Sequence, residues 1–173
     1  MCDTLQGKTE IQRARVIEKF IDLAVELKRL HNFTGLNAVV SGLRLDPTLK
    51  LERSWGRVPA DKIDALQEVR KVMSADRQYK AYRTAMAEVP EDAACVPHLG
   101  VHLFDLTFIE EGNKDNLPDR EDLLNFSKWR LLADCVGNLM DIQRRSYDVG
   151  YVRAHACCGG WVGPHVGVCA DGW

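Results

Sequence analysis

Pro97-His-Leu-Gly-Val-His-Leu-Phe-Asp-Leu-Thr-Phe-Ile-Glu-Glu-Gly-Asn113 is the stretch on which the reading of this chain turns. Its pattern predicts a helix from about Leu99 to Glu111, with Gly112 in the C-capping position. Glu110 and Glu111 fall in the last turn, where the helix dipole is already negative. An acidic last turn costs roughly 0.3–1 kcal/mol unless something uses it. The helix is therefore built to present a carboxylate rather than for its own stability. Helical periodicity places Leu99, Leu103 and Leu106 on one face with Ile109 beside them, and that face is expected to pack on the core. Phe104, Thr107 and Glu111 lie on a neighbouring face with Phe108 next to them. An aromatic ring, a hydroxyl and a carboxylate then point together, away from the core.

Outward from this stretch, nearly every periodic segment is helical. Upstream, Ile11 to His31 carries Val16, Phe20, Leu23, Leu27 and Leu30 at helical spacing, with Ile17, Ile21 and Ala24 widening the stripe. Asn32-Phe-Thr-Gly35 reads as a turn, Leu36 to Leu43 as a short apolar helix, and Asp46-Pro47 as a break. Asp61 to Met73 is amphipathic through Ile63, Leu66, Val69 and Val72. Asp76 to Val89 is a further helix carrying Tyr79, Tyr82 and Met86, stopped by Pro90. Downstream, a polar link from Asn113 to Arg120 leads into a long helix from about Glu121 to Arg145, with Leu124, Leu131, Cys135, Leu139 and Ile142 as its apolar face. Two helices joined by a short link make a helical hairpin. No strand and no repeat is evident, so the fold class is all-α. From about Gly150 the chain becomes rich in Gly, Cys and Trp and loses its period. That gives a helical domain over 1–149 and an irregular tail over 150–173.

Composition narrows the function classes. The 173 residues suit one domain, and a net charge of -2 gives no general affinity for nucleic acid. No apolar run is long enough for a signal peptide or a membrane span, which points to the cytoplasm and to six cysteines kept as thiols. No G-x-x-x-x-G-K-[ST] loop and no nucleophile–base motif is present, so the chain is neither a P-loop nucleotide hydrolase nor a recognisable hydrolytic enzyme. The tail residues His155, Cys157, Cys158, His165 and Cys169 are poorly spaced for zinc, because adjacent cysteines do not fit the usual paired-ligand spacing. No metal site and no cofactor is expected.

The run Pro97-His-Leu-Gly…Leu103-Phe-Asp-Leu-Thr-Phe-Ile-Glu-Glu-Gly-Asn113 followed by Leu124-Asn-Phe-Ser-Lys128 resembles the catalytic domain of Ras-type guanine-nucleotide exchange factors. Arg15-Val-Ile-Glu-Lys-Phe-Ile21, Leu30-His-Asn-Phe-Thr-Gly-Leu36, Val39-Val-Ser-Gly-Leu43, Leu51-Glu-Arg-Ser-Trp55 and Tyr79-Lys-Ala-Tyr82 match the same family in order, so the resemblance covers about Met1 to Tyr147. It implies an irregular all-helical domain from which the helical hairpin protrudes. The hairpin would insert into the nucleotide site of a small GTPase of the Ras, Rap or Ral type and displace switch I. Carried over by position, Thr107 would sit where the GTPase's magnesium was held and Glu111 would meet the phosphate-binding loop. Phe104 and Phe108 would contact the partner, and Ala24, Tyr79 and His98 match a pocket for switch II. The activity implied is nucleotide release without covalent chemistry, in a cytoplasmic protein brought to membranes through its GTPase.

The chain also departs from the family pattern. Cys2-Asp3-Thr4-Leu5 matches the middle of a family helix, which implies that several core helices are missing at the N-terminus. The resemblance likewise implies that the family's last core helix is not matched after Tyr147. His98 stands where an aromatic is usual, His31 where Asn is common, and Trp129 where a basic residue is common. These departures keep a second reading open, a non-catalytic helical module that binds a GTPase or another partner.

Overall fold

The computed structural model describes residues 9–117 and 119–148, and the tail proposed over 150–173 lies outside them. Eight helices and one two-stranded ribbon are present among the described residues, an all-α architecture as expected.

Helix α1 (Glu10–Arg29) starts with a capping box in which Thr9 Oγ1 accepts from the Gln12 N–H and Gln12 Oε1 accepts from the Thr9 N–H. Glu10 in its first turn and Lys28 and Arg29 in its last suit the dipole. Its buried line is Ala14, Ile17, Ile21 and Ala24, whereas Leu23 and Leu30 face outward. The stripe read from the sequence is therefore rotated: the residues taken as flanking are its centre.

Helix α2 (Phe33–Leu43) begins at Phe33 rather than Leu36, because Asn32 is its N-cap, with Oδ1 accepting from the Gly35 N–H at 2.8 Å. A Cβ on Gly35 would stand 3.0 Å from both Asn32 Oδ1 and a Leu27 methyl, so only glycine leaves this cap undisturbed. His31, just before it, has φ 54°, a left-handed conformation that Asn and His tolerate better than most residues. That turn lets Phe33 N–H and Val96 N–H form bonds to Val96 and His31 carbonyls, tying α2 to the segment ahead of the hairpin.

Asp46-Pro47 opens a helix instead of breaking the chain. Pro47 lies in the first turn of α3 (Asp46–Leu49), where a missing N–H costs nothing. Helix α4 (Glu52–Trp55) follows, with Trp55 Nε1 donating to the Thr48 carbonyl and Arg13 Nε donating to buried Ser54. Helix α5 (Ala60–Val72) buries Leu66, Val69 and Val72. The core lies where α1 packs against α2, α4 and α5. Helix α6 (Asp76–Ala87) packs on α5 and contains a left-handed kink at Arg77, Gln78 and Tyr79. It buries Tyr82, which meets Phe33 edge-on at 5.2 Å.

Helices α7 (Leu99–Gly112) and α8 (Phe126–Gln143) pack on each other as the expected hairpin, and neither packs extensively on another helix. At 14 residues, α7 carries the hairpin's tip about 20 Å from its base. Ile142 joins the core at the base, where Arg145 donates to the Pro90 carbonyl and Tyr147 to the Leu30 carbonyl.

The tip corrects three expectations. A short antiparallel ribbon, β1 (Asn116–Leu117) with β2 (Arg120–Leu124), occupies the place of the α8 start predicted at Glu121. Asn125 sets the true boundary, because its side chain caps the Lys128 N–H while its own N–H is held by the Asp115 carbonyl. Leu124 thus belongs to the ribbon, and the inward line of α8 runs through Lys128, Leu132, Cys135, Leu139 and Ile142, with Leu131 exposed. At the end of α7, Gly112 is still helical; Asn113 is the cap, donating from Nδ2 to the Ile109 carbonyl at 2.9 Å.

Candidate functional site

The expected inward face of α7 is only partly inward. Leu103 is 61% exposed and Leu99 is also open, whereas Val101, two positions from each, is buried. Helix α7 is apolar on several sides, so periodicity alone does not select one. Polar ties select it instead. Asp105 accepts a bidentate pair of bonds from Arg83 of α6, at 2.8 and 2.7 Å. Tyr82 accepts the His98 N–H at 3.0 Å and shares a hydrogen bond with His102 Nε2 at 3.1 Å. Burial pushes the Tyr82 hydroxyl up to about 12, so it stays protonated. Burial also holds the His98 and His102 imidazoles below their ordinary value.

With α7 held this way, Phe104 and Phe108 project outward, each more than half exposed, in an edge-to-face pair at 4.5 Å. Together with Tyr79, Arg83 and His102 they line a cleft of about 600 Å³ between α6, α7 and α8. Tyr79 has φ 59° within the left-handed kink, and its ring lies 6.4 Å from half-buried His98. Left-handed backbone costs about 1–2 kcal/mol per residue, so the kink stores strain beside the cleft.

Thr107 and Glu111 continue along α7 toward the tip. Thr107 is exposed, and its hydroxyl donates to the Leu103 carbonyl at 3.0 Å, leaving its oxygen lone pairs outward. The two carboxylates of the last turn have different surroundings. Glu110 meets the buried Lys128 ammonium at 2.9 Å, and Lys128 also pairs with Asp115. Bonds to Asp115 and Glu110 hold the Lys128 ammonium above its ordinary value. That cation also offsets the negative end of the α7 dipole. Glu111 is exposed, and no cation among the described residues pairs with it.

The structure thus gathers Tyr79, Phe104 and Phe108 in one cleft, with His98 beside Tyr79, and sets Thr107 and Glu111 on the helix that carries both phenylalanines. It does not bring Ala24 there. Ala24 is 0% exposed, packed in the α1 line between helices, and has no surface to offer a partner. The sequence pattern gives no role to Arg83, Asp105 or His102 and does not reveal the two carboxylate partners of Lys128. His102 and Asp105 share a face of α7, but nothing in their spacing announces a partner on α6.

Residues 2–130 match the RasGEF domain family. The chain is 35% identical over 142 residues to Ras guanine nucleotide exchange factor P of Dictyostelium discoideum, covering 82% of this chain and 9% of that protein. It is 37% identical over 147 residues to Ras guanine nucleotide exchange factor efc25 of Schizosaccharomyces pombe, covering 84% and 14%. It is 34% identical over 135 residues to Cell division control protein 25 of Saccharomyces cerevisiae, covering 78% and 8%. The chain belongs to the RasGEF domain family. It spans no more than about a seventh of the length of these relatives. Among the described residues, no helix is long and apolar enough to cross a membrane.

Proposed function

We propose that this chain promotes release of guanine nucleotide from a Ras-type small GTPase, with the α7–α8 hairpin as its working part. The observation that carries the reading is the exposed Glu111, paired with no described residue, at the end of a helix held out from the core. A GTPase grips its nucleotide through loop amides, a lysine and magnesium bridging the phosphates. Glu111 brought to that loop repels the phosphates and takes over their vacated donors. Thr107 beside it fills the place of the magnesium, while Phe104, Phe108, Tyr79 and His98 hold the displaced switch regions against the cleft. No covalent bond is made. The chain binds the nucleotide-free GTPase better than the loaded one, and nucleotide affinity falls by the same factor. Each 1.4 kcal/mol of coupling is about tenfold in affinity. The chain acts in the cytoplasm and reaches membranes through its GTPase, and the helical domain over 1–149 is the active unit.

A second reading is favoured by the open apolar side chains of the hairpin, Leu99, Leu103, Leu131, Val136 and Met140. Surface of that kind serves a module that binds a GTPase, or another partner, without expelling its nucleotide. Release of fluorescent GDP from a panel of Ras, Rap and Ral proteins separates the two. Faster release from at least one of them supports exchange. Capture of nucleotide-free GTPase with no change in release rate supports the binding module, and neither effect contradicts both.

A further inference from the structure

The sequence carries a slight excess of acid, with a net charge of -2, yet one cleft is strongly basic. It measures about 1050 Å³ and opens on a different face of α6 from Tyr79 and Arg83, bounded by α5 and the ends of α1 and α2. Lys28 reaches it from α1 and Arg44 from the end of α2. Arg70 and Lys71 come from α5, and Arg77 and Lys80 from α6. Two carboxylates, Asp76 and Glu88, also line it. Lys71 is paired with Glu68, but Lys28, Arg44, Arg77 and Lys80 have no ion pair among the described residues.

Arg70 is the unusual member. Its Nε is buried with no hydrogen-bond partner among the described residues. Burial and the neighbouring Arg44 charge both push its guanidinium below the ordinary arginine value. A guanidinium with a buried, unpartnered Nε beside a second cation is a destabilising arrangement for the protein alone. An anion seated between Arg44 and Arg70 relieves the repulsion between the two cations, because a guanidinium fork matches phosphate oxygens in charge and geometry.

The lining narrows the ligand further. It includes no aromatic side chain, so nothing is offered to stack a nucleobase. Thr84 and Gln67 in the lining provide neutral groups suited to hydroxyls, whereas the Ser74 hydroxyl is bonded to Asp76. The volume is that of a small-molecule site. We propose that this cleft binds a multiply phosphorylated, hydroxyl-rich ring of the inositol-phosphate type, with Arg44 and Arg70 as fixed donors and Lys28, Arg77 and Lys80 around the rim. The same chemistry is presented by a phosphoinositide headgroup in a membrane and by a free inositol phosphate.

The test is calorimetric titration of the full chain with inositol hexakisphosphate at physiological salt, alongside co-sedimentation with phosphatidylcholine vesicles with and without phosphatidylinositol bisphosphate. Saturable binding is expected, weakened at least tenfold in the double variant R44A/K80A. Retention on the phosphoinositide vesicles alone assigns the site to a lipid headgroup, and calorimetric binding without retention assigns it to a soluble ligand. R70M is expected to weaken binding at least tenfold without lowering the melting temperature, since it deletes a charge that no protein group pairs. Equal affinity of parent and R44A/K80A, no binding in either assay, or a lowered melting temperature in R70M with unchanged affinity overturns the proposal. GDP release measured without ligand stays at the parent's rate in R44A/K80A, so this test stands or falls separately from the exchange assay.

Discussion

The α1–α5 region and the α7–α8 hairpin use apolar side chains in opposite ways. In the first, Ile17, Ile21 and Leu36 are sealed, and burial against neighbouring helices holds the elements together. In the second, Leu103, Phe104, Phe108 and Phe126 face outward. The hairpin keeps its shape through directional polar contacts: Arg83 on Asp105, Lys128 on Glu110 and Asp115, and asparagine caps at Asn113 and Asn125. A segment fixed by ion pairs and caps can leave its apolar surface free for another molecule. A segment fixed by burial commits its central apolar line to the core and leaves only flanking side chains such as Leu23, Leu30 and Leu49 at the surface.

This contrast is open to challenge by mutation. The largest stability loss belongs to the sealed region: Ile21→Ala removes a side chain with no exposed surface and is expected to cost about 3 kcal/mol, read by urea denaturation. A loss under about 1 kcal/mol would mean that the region is not close-packed. Lys128→Ala comes next. It leaves Glu110 and Asp115 facing each other without a cation at the negative end of α7, and the melting temperature should fall, though less than for Ile21→Ala. An unchanged melting temperature would show that the buried lysine does not brace the tip.

Two smaller effects sharpen the same division. Phe108→Ala trims an exposed ring, so stability should shift by no more than about 0.5 kcal/mol. Capture of nucleotide-free GTPase should nevertheless weaken by about tenfold, and undiminished capture would remove the aromatic pair from the contact surface. The smallest effect is a pH dependence. His98 is held below its ordinary value of 6.5 by burial, so the unfolded chain binds protons more readily than the native one. Stability contributed by neutral His98 is complete above about pH 6.5 and is lost as pH falls through the lower native value. His98→Phe keeps the ring contacts with Tyr79 and Tyr82 and should reduce the drop in melting temperature between neutral and mildly acidic pH. An identical drop in both proteins would assign the dependence to other groups.

The two regions also differ in how far they can be read from sequence. Helices α1 and α5 have one dominant apolar side, so their existence was evident even where the stripe centre in α1 was displaced by a residue or so. Helix α7 was found but misoriented, because Leu99, Val101, Leu103, Phe104, Phe108 and Ile109 make it apolar almost all round. Its orientation is set by Asp105 and His102 reaching α6, a through-space relation that spacing along one helix does not encode. The tip ribbon was missed because it is only a few residues long and lies where a capping Asn125 can equally open a helix later in the chain. Within the site, Phe104, Phe108, Thr107 and Glu111 could be named in advance, and all are exposed. Ala24 lies on the apolar stripe of α1, and its 0% exposure agrees with that pattern rather than with the partner pocket that the resemblance implies.

The most direct measurement pairs thermal melting with GDP release for Glu111→Ala. Glu111 pairs with no described residue and sits at the negative end of α7, so the melting temperature should equal or slightly exceed the parent's while GDP release from the responsive GTPase slows by at least tenfold. A variant that melts like the parent and releases GDP just as fast would contradict the assignment of the acidic tip as the group that loosens the nucleotide.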